Sequence, residues 1–451
     1  MKAWQIVPAR SLSNGMHLRP FEIGLIVFFF ITAIVGIASL RLYQGNEDPA
    51  DKPYGDSIVI WGTLGDQEFK QHLSSSVSGE QALSVVQYIE KDPRTFDTEF
   101  VNAVAEGRAP DLVVLPHDRL VIHRSKLMPI TYESFPVRTF RDRYIDGADI
   151  FMRTDGIYGI PFAVDPLVLY WNRDLFSSAG LATPPKTWEV MVGETVPALV
   201  RRDGGTLTLT QTALAFGEFK NVTHAKNILA MLLLQAGNNL VEERQDEYRI
   251  TLTESAKQGL PPAHAALSFY TQFASAGSDL YTWNRSQKND RAQFIAGTLG
   301  MYIGFGSEVE ALRRDNPNLS FDVASMPQGS GATTLRDYGT FYAFAIPRAI
   351  APQQRVYAYT LASKLAGGTH AGAIAEAYDF APVLRSLHSG IDDPFKKIIY
   401  QSALISRGWL DPNPQITSEV FEKMIEEITS GRKRIEEALR DASDTLTTLF
   451  R

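Results

Sequence analysis

Cysteine is absent from this chain of 451 residues, and its absence excludes several kinds of chemistry. Without cysteine the protein has no disulfide, no zinc site with thiolate ligands and no cysteine nucleophile. It also cannot carry a lipid on an N-terminal cysteine. A tether to a membrane would therefore have to be a hydrophobic segment of the chain itself.

Catalytic and nucleotide-binding motifs are also missing. There is no His-Glu-x-x-His pair, no Gly-x-Ser-x-Gly nucleophile elbow and no Walker A loop. The run 304–306 begins like a dinucleotide-binding loop, but Val309 stands where its third glycine would be. The eight histidines are scattered, and the spacing of His117 and His123 matches no standard metal signature. We expect no enzyme activity, no catalytic residue, no metal and no cofactor, although distant residues can still converge in an active site.

The charge balance disfavours nucleic acid as a partner. Lysine and arginine number 44 against 51 aspartates and glutamates, for a formal net charge of -7. A protein that binds a polyanion usually shows a basic surplus. Hydrophobic residues make up 44% of the chain, as in ordinary globular proteins. The length exceeds that of one compact domain, so two lobes or two domains are expected.

One long hydrophobic run is present near the start of the chain. Ile23–Leu40 contains 18 residues without a charge. As a helix it would span about 27 Å, close to the roughly 30 Å of a bilayer core. Residues 21–41 are thus predicted to be a transmembrane anchor. Basic residues precede the run, which places residues 1–20 in the cytoplasm and the large C-terminal part outside, as a single-pass protein of the cell membrane.

A cleaved signal peptide is the alternative interpretation of this run. Its hydrophobic core would normally span about 7–15 residues, which is shorter than the run observed. The small-residue pair Ala38-Ser39 near its end is a poor cleavage signal. Residues 42–55 are polar and contain proline and glycine, so they are predicted to link the membrane to the folded part.

From residue 57 onward, short apolar strands alternate with amphipathic helices. Ser57–Gly62 and Asp111–Pro116 are predicted strands, and helices are predicted near 67–76 and 97–105. Strands that alternate with helices favour an α/β fold with a largely parallel sheet. A helix over Trp188–Val196 is predicted to begin at the N-cap Thr187 and to stop before Pro197. Most of the chain after residue 350 is predicted to be helical.

Two later segments have a more specific pattern. Tyr158–Val164 is an apolar strand, followed by a bend at Asp165 and a second strand that ends on Asn172, a good N-cap for the next helix. In the second segment, Phe294–Ser307, a helix passes through a glycine into a strand. Ser307 then begins another helix, with an expected capping box to a glutamate three residues on.

Polar and aromatic residues stand at the ends of the predicted strands. Trp61 ends the first strand, at the carboxyl edge where open α/β sheets bind ligands. Asp118 and Arg119 follow the strand 111–115 at the same kind of edge. Aromatic faces cover the C–H surface of sugars, a carboxylate accepts from hydroxyls, and a guanidinium donates in a fork. These residues indicate a binding site for a polar solute.

These segments resemble the family 1 extracytoplasmic solute-binding proteins over roughly residues 57–445. The most specific pieces are Asp111–Arg119, Tyr158–Phe176, Pro185–Trp188 and Phe294–Ser307. The resemblance implies an α/β fold of the two-lobed periplasmic-binding-protein type II class, with two discontinuous lobes and a hinge. It implies that the chain captures a small polar solute, with a saccharide favoured, and delivers it as a monomer to an ABC-type permease.

The resemblance also implies lobe boundaries. Lobe 1 would comprise residues 56–163 and 305–343, and lobe 2 residues 164–304 and 344–451. The chain would cross between the lobes near 163–166, 303–306 and 344–347, so few residues would absorb the rotation that closes the cleft.

The family's binding residues carry over to five positions. In its maltose-binding members an aspartate and an arginine hold sugar hydroxyls, which implies that role for Asp118 and Arg119. Trp61 matches the aromatic of the first strand, Asp165 faces the cleft after the crossing, and Phe305 occupies a place where the family often has a ligand-facing aromatic. The turn after Trp61 lacks the basic residue of the maltose-binding members, so maltodextrin specificity does not follow.

Tyr170 and Trp283 are two further aromatic residues in the predicted ligand-binding set. Tyr170 and its neighbour Trp171 alternate along a strand, so one of them faces inward. Trp283 lies in the polar loop 281–289, where an exposed tryptophan would stack on ligand or contact a partner.

Each site residue also has a structural alternative. Trp61 could pack in the core, Asp118 and Arg119 could pair with each other, and Asp165 could cap a turn. Two other functions also stay open: an extracellular glycan-acting enzyme and a ligand-sensing module on the same scaffold. The sequence does not identify the solute.

Overall fold

The computed structural model describes residues 57–77, 83–204, 208–245, 247–255 and 260–450. The predicted cytoplasmic N-terminus, membrane anchor and linker (1–20, 21–41 and 42–55) lie outside the described residues. Within the part of the chain that is described, no helix is both long enough and apolar enough to cross a membrane.

The strands, in chain order, are β1 (Ile58–Gly62), β2 (Val86–Glu90), β3 (Leu112–Pro116), β4 (Met152–Arg153), β5 (Gly156–Ile157), β6 (Ile160–Asn172), β7 (Arg201–Arg202), β8 (Leu209–Leu214), β9 (Val241–Arg244), β10 (Glu247–Ile250), β11 (Leu299–Phe305), β12 (Phe321–Ala324), β13 (Asp337–Ala345), β14 (Ala381–Pro382) and β15 (Ser406–Arg407).

The α-helices are α1 (Asp66–Val77), α2 (Phe96–Ala105), α3 (Leu120–His123), α4 (Val137–Arg143), α5 (Arg173–Ser178), α6 (Trp188–Val190), α7 (Val196–Leu199), α8 (Ala225–Gln235), α9 (Pro262–Thr271), α10 (Asp290–Ile295), α11 (Val309–Asp315), α12 (Pro352–Leu365), α13 (Gly368–Ala377), α14 (Pro394–Ile405), α15 (Pro414–Thr429) and α16 (Ile435–Thr448).

The predicted alternation of strands and helices is confirmed, but the sheet is mixed. Its main path runs β2-β1-β3-β13-β6-β11-β8-β7, with β12 and β14 also paired to β6 and β15 paired to β13. The pairs β1–β2, β1–β3 and β11–β8 are parallel, as expected. The central strands β13 and β6 run antiparallel to each other, and they pair antiparallel with β3 and β11 respectively.

Strand β6 joins two groups of strands. It is one strand of 13 residues, whereas the sequence predicted two strands separated by a bend. Pro166 is the last β6 residue paired with β13, and Leu167 is the first paired with β11. A proline lacks the N–H of a ladder bond, and it is tolerated at this point because the partner strand changes there. We call β1, β2, β3 and β13 the first strand group, and β7, β8, β11 and β12 the second strand group.

Both faces of β6 are covered by helices and loops. All of its residues are buried except Trp171, which is partly exposed. Burial on both faces explains why the sequence there is a nearly continuous apolar run rather than an alternating one. Each fully buried valine, leucine or phenylalanine side chain contributes about 1.5–3 kcal/mol relative to exposure.

The predicted N-cap at Asn172 is confirmed. Its side-chain oxygen accepts hydrogen bonds from the backbone N–H groups of Asp174 and Leu175, each at 3.0 Å. These bonds satisfy two of the donors that the first turn of α5 leaves without an intrahelical partner.

The helix that Thr187 begins does not stop before Pro197, so that prediction was wrong. The Thr187 hydroxyl accepts from the N–H of Val190 at 3.3 Å, as expected for an N-cap. The chain then makes a π-helical turn over Met191–Thr195 and continues into α7. Because the π turn interrupts the regular ladder, Pro197 falls in a first-turn position, where its missing N–H removes no bond.

Candidate ligand-binding site

A polar and aromatic surface lies on one face of the central strands. Tyr338, Thr340 and Tyr342 alternate along β13 and therefore share a face. In the strand register Asp165 is opposite Thr340 and Phe305 is opposite Leu167, so Asp165 and Phe305 lie on that same face. Thr340, Tyr342 and Phe305 are partly exposed, although most of these strands are buried. We call this surface the hinge face.

Asp118 lies beside the hinge face, just beyond the carboxyl end of β3, where Pro116 is opposite Tyr342. Within the described part of the chain, its buried oxygen Oδ1 has no hydrogen-bond partner. Burial raises the pKa of Tyr338, and the Asp118 carboxylate raises it further. A buried acceptor without a donor costs free energy, so Asp118 is suited to receive a hydroxyl from a ligand.

Arg119 is engaged elsewhere. Its guanidinium forms an ion pair with Asp97 and donates to the carbonyl of Pro93 at 3.0 Å. Asp97 is also 2.7 Å from Nε2 of the buried His123. Burial raises the pKa of Asp97, but the hydrogen bonds from His123 and Arg119 outweigh that effect and leave it lowered. Arg119 therefore fastens α2 to the segment that follows β3, and the alternative of an ion pair with Asp118 is not formed.

Asp165 joins β6 to the turn that follows β11. Its Oδ1 accepts from the Ser307 N–H at 3.1 Å, and its Oδ2 accepts from the Ser307 hydroxyl at 2.6 Å. The side chain is 5% exposed. Burial raises the pKa of Asp165 to about 8, against the opposing effect of the Ser307 hydrogen bonds. Asp165 therefore lies where the partner of β6 changes, and its hydrogen bonds connect β6 to the turn after β11.

The expected capping box at Ser307 is replaced by a different arrangement. The carboxylate that caps this turn belongs to Glu308, whose Oε1 accepts from the Phe305 N–H at 2.9 Å. The same carboxylate is 2.7 Å from His224 Nε2 and accepts from the Tyr302 hydroxyl at 2.8 Å. Because Glu308 caps this turn, the Ser307 hydroxyl is available to donate to Asp165.

Phe305 is the aromatic of the hinge face that is best placed to meet a ligand. Its ring is edge-on to His224 at 4.9 Å between centroids, and it is 6.4 Å from the ring of Tyr338. The ring remains partly exposed between these neighbours. Rings fixed by such contacts present a flat apolar surface at little entropic cost.

A buried ion pair that no sequence motif predicted lies near Asp118. Lys226, at the start of α8, places its Nζ 2.5 Å from Oδ2 of Asp411, which is fully buried. Burial raises the pKa of Asp411, and the charge of Asp118 raises it further while Lys226 opposes both. Burial also lowers the pKa of His117 to about 4, with Asp118 and Lys226 acting on it in opposite directions. These four charged or titratable groups therefore converge from three separate segments.

Trp61 and Tyr170 have different surroundings. Trp61 is partly exposed, and the ammonium of Lys91 lies 3.8 Å from the centroid of its ring. Tyr170 is fully buried and donates its hydroxyl to the carbonyl of Phe305 at 2.6 Å. Of the alternating pair, Trp171 is the outward residue. Tyr170 therefore stabilises the backbone at Phe305, and its buried side chain exposes no surface to a ligand.

Trp283 is not the exposed tryptophan that the polar loop predicted. It is fully buried, and its indole N–H donates to Asn221 Oδ1 at 3.1 Å. Asn221 comes from a distant part of the chain, so the polar neighbours of Trp283 in sequence are not its neighbours in space. The described residues also contain no group of three or more histidine, aspartate or glutamate side chains that could hold a metal ion.

Comparison with solved structures shows the same fold in binding proteins. A cyclic alpha-maltosyl-1,6-maltose binding protein from Arthrobacter globiformis matches at TM-score 0.70 and 15% identity, covering 87% of this chain and 98% of that chain. A cyclo/maltodextrin-binding protein complexed with maltotetraose matches at TM-score 0.67 and 16% identity, covering 87% and 96%.

A third structure is an ABC transporter solute-binding protein from Thermotoga lettingae bound with alpha-D-tagatose. It matches at TM-score 0.65 and 18% identity, covering 88% of this chain and 100% of that chain. Identities this low establish the fold alone. A comparison with curated protein sequences gives no significant match.

The family comparison establishes membership. The model of the bacterial extracellular solute-binding protein family matches residues 85–397, well over half of the chain. The matched range contains Asp118, Asp165, Phe305 and all of β6. The chain therefore belongs to the bacterial extracellular solute-binding proteins.

Proposed function

We propose that this protein captures a saccharide between two lobes on the outer side of a membrane and delivers it to an ABC-type permease. The observation that carries the proposal is the hinge face with Asp118 beside it. A carboxylate oxygen that has no hydrogen-bond partner among the described residues lies beside a face that carries a partly exposed phenylalanine, threonine and tyrosine. Sugars present hydroxyl donors and apolar C–H faces, which complement such a set.

The similar structures support a saccharide. Two of those named above are described as binding maltose-derived oligosaccharides, and the third as bound to a monosaccharide. Their identity to this chain is 15–18%, so they do not identify its sugar. The extracytoplasmic location and the permease follow from family membership together with the predicted anchor at residues 21–41.

The arrangement of β6 is consistent with a division of the chain into two lobes. We assign lobe 1 to residues 56–163 with 305–343 and lobe 2 to residues 164–304 with 344–451. The switch of strand partners at Pro166 and Leu167 lies within three residues of one proposed boundary. Few residues connect the two strand groups there, so rotation about them would open and close the hinge face. Ligand that touches both lobes would favour the closed form by its differential affinity.

Calorimetric titration of the purified full-length protein in detergent with a panel of mono- and oligosaccharides tests the proposal. We expect at least one saccharide to bind, and to be recovered unchanged after incubation. Absence of binding across the panel would contradict the proposed ligand class. Recovery of a cleaved saccharide would instead favour the glycan-acting enzyme.

A further inference from the structure

A second feature, distinct from the hinge face, is an open cavity of about 480 Å³. Its walls come from Ile150–Thr154, the end of α8 with the start of β9, Arg336, and the segment Arg407–Leu410. In the proposed assignment these walls belong to both lobes. The volume lies within the range of about 300–1,000 Å³ typical of small-molecule sites.

The cavity adjoins the region of Asp118. Its wall residue Gly408 lies flat against the buried ring of His117, and a Cβ atom at Gly408 would come within 2.4 Å of His117 Nε2. The next wall residue, Trp409, is two residues before Asp411, which forms the ion pair with Lys226. A solute held beside Asp118 would therefore have this cavity as its neighbour.

Positive charge dominates the cavity wall. Arg153, Arg336 and Arg407 line it, and Glu243 is the one acidic residue among the described lining residues. Arg153 already pairs with Glu243, with Nη1 2.7 Å from Oε2, and its buried Nε has no hydrogen-bond partner within the described residues. The wall of a protein with a net charge of -7 thus carries a local surplus of two positive charges.

Of these arginines, Arg336 is the one without a counter-charge among the described residues. Among the described residues Arg336 has no carboxylate partner, and its side chain makes one long hydrogen bond, 3.4 Å, to the carbonyl of Leu335. Its backbone is fixed, since its carbonyl accepts from two glutamine side chains at 3.0 Å. Arg407 pairs with the exposed Asp146 at 3.0 Å. Burial lowers the pKa of Arg407 and the charge of Arg336 lowers it further, while the carboxylates of Asp146 and Asp149 act in the opposite direction.

An anion in the cavity would accept hydrogen bonds from the two guanidinium groups that line it and would supply the counter-charge that Arg336 lacks among the described residues. A neutral sugar hydroxyl accepts a hydrogen bond but supplies no charge. Carboxylate and phosphate oxygens do both, and they match the planar fork of arginine. Trp409 and Leu234 supply apolar wall for the rest of the molecule.

We propose that the captured solute carries an anionic group, a carboxylate or a phosphate, that Arg336 and Arg407 receive in this cavity. The proposal rests on the proposed function and narrows its ligand to acidic saccharides. The two sources of the anion, a uronic acid and a sugar phosphate, share the chemistry that the arginines recognise.

The test is a set of matched ligands that differ at one carbon. Glucose, glucuronate and glucose 6-phosphate form one set, and galactose, galacturonate and galactose 6-phosphate form another, each also at the end of a trisaccharide. Full-length protein in detergent is titrated calorimetrically with every member. We expect an acidic member to bind at least about tenfold tighter than its neutral partner, as for hydrogen bonds between charged groups. Comparison of the carboxylate and phosphate members identifies the anion.

Variants separate the anion site from the saccharide site. Arg336→Gln should remove the preference for the acidic member, so that acidic and neutral members bind with similar affinity. Arg249→Gln is the control, because Arg249 is exposed, pairs with Glu254 and lies opposite Glu242 in the β9–β10 register, on the other face of the hairpin from the cavity residues Val241 and Glu243. Its ligand preference should equal that of the unaltered protein, and melting curves should show all variants folded.

The outcomes are distinguishable. Neutral members that bind as tightly as acidic ones would overturn the anion proposal and leave the saccharide proposal standing. An acidic preference that survives Arg336→Gln would overturn the assigned arginines. Binding of glycerol 3-phosphate that depends on Arg336, with no saccharide bound, would support the anion site and contradict the saccharide. Binding of no probe would contradict both.

Discussion

Glu243 and Arg153 form a buried ion pair between two parts of the chain that the proposed lobe boundaries separate. Arg153 Nη1 lies 2.7 Å from Glu243 Oε2, and the two side chains are 10% and 8% exposed. The other oxygen of Glu243 is 2.6 Å from Nη1 of Arg124, whose side chain is 16% exposed. One carboxylate of the β9–β10 hairpin therefore connects lobe 2 to two arginines of lobe 1, and we infer that it stabilises their close approach.

Replacement of Glu243 by glutamine should destabilise the protein markedly. The amide would leave Arg153 without a carboxylate partner among the described residues, whereas Arg124 would keep Asp155 at 3.0 Å. Loss of one partner of a buried pair costs about 3–5 kcal/mol. Urea unfolding of the full-length protein in detergent measures the change. Glu242→Gln is the matched control, since Glu242 pairs with Arg244 at the surface and its loss should cost about 0.5 kcal/mol or less. Equal effects of the two variants would contradict the inferred role of Glu243.

Asp165 should make the stability fall as pH rises. Its pKa in the folded protein is raised to about 8, above the unfolded value near 3.8, so the folded state holds the proton more tightly. Between about pH 4 and pH 8 the unfolded state ionises first, and unfolding becomes easier by at most about 1.4 kcal/mol per pH unit. Asp165→Asn should remove this contribution while keeping an oxygen for Ser307.

The comparison for Asp165 is the difference in unfolding free energy between the unaltered protein and Asp165→Asn. We expect the asparagine variant to gain on the unaltered protein as pH rises from 4 to 8, with no further gain above that range. Urea unfolding at several pH values gives this difference directly. A difference that stays constant with pH would show that burial does not hold the Asp165 proton.

Asp118 should matter for ligand affinity rather than for stability. Asp118→Asn replaces a charged acceptor with a neutral one, and a hydrogen bond to a charged group contributes about 1.5–3 kcal/mol, or roughly ten- to a hundredfold in affinity. Stability should change little, since the buried Oδ1 has no described partner to lose. Asp142→Asn, which alters an exposed carboxylate paired with Arg138, is the control for calorimetric titration. Unchanged affinity in Asp118→Asn would show that the Asp118 carboxylate does not bind the ligand.

Arg119 should behave in the opposite way. The resemblance assigned it to ligand, but the structure pairs it with Asp97. Arg119→Gln should therefore lower the unfolding free energy, by about 1 kcal/mol given the partial exposure of the pair, and leave saccharide affinity within about twofold. Chemical unfolding and calorimetry on the same preparation separate the effects. A large loss of affinity at unchanged stability would show that Arg119 binds the ligand.

Local patterns predicted most of the secondary structure because local interactions determine it. The N-caps at Asn172 and Thr187 depend on side chains that reach their own helix, and both are present. The bend at Asp165 was predicted wrongly because the sequence does not show that the partner of β6 changes after the next residue, Pro166. A proline that breaks an ordinary central strand is tolerated at that position.

Contacts between distant segments could not be predicted. Lys226 and Asp411 lie far apart in the sequence, and neither position carries a recognisable motif, yet they form a buried ion pair near Asp118. Trp283 looked exposed because its sequence neighbours are polar, whereas its indole packs inside and bonds Asn221. The arginines of the cavity likewise come from three separate segments that only the fold brings together.

Closure of the two proposed lobes around a saccharide should shorten the distance between them, and that distance can be measured. The chain has no cysteine, so Glu133→Cys and Lys186→Cys give one specific label on each proposed lobe, and both positions are exposed. Resonance energy transfer between the labels is measured on the full-length protein with and without the tightest-binding saccharide. The account predicts a higher transfer efficiency at saturating ligand. An efficiency that does not change while calorimetry shows the ligand bound would contradict it.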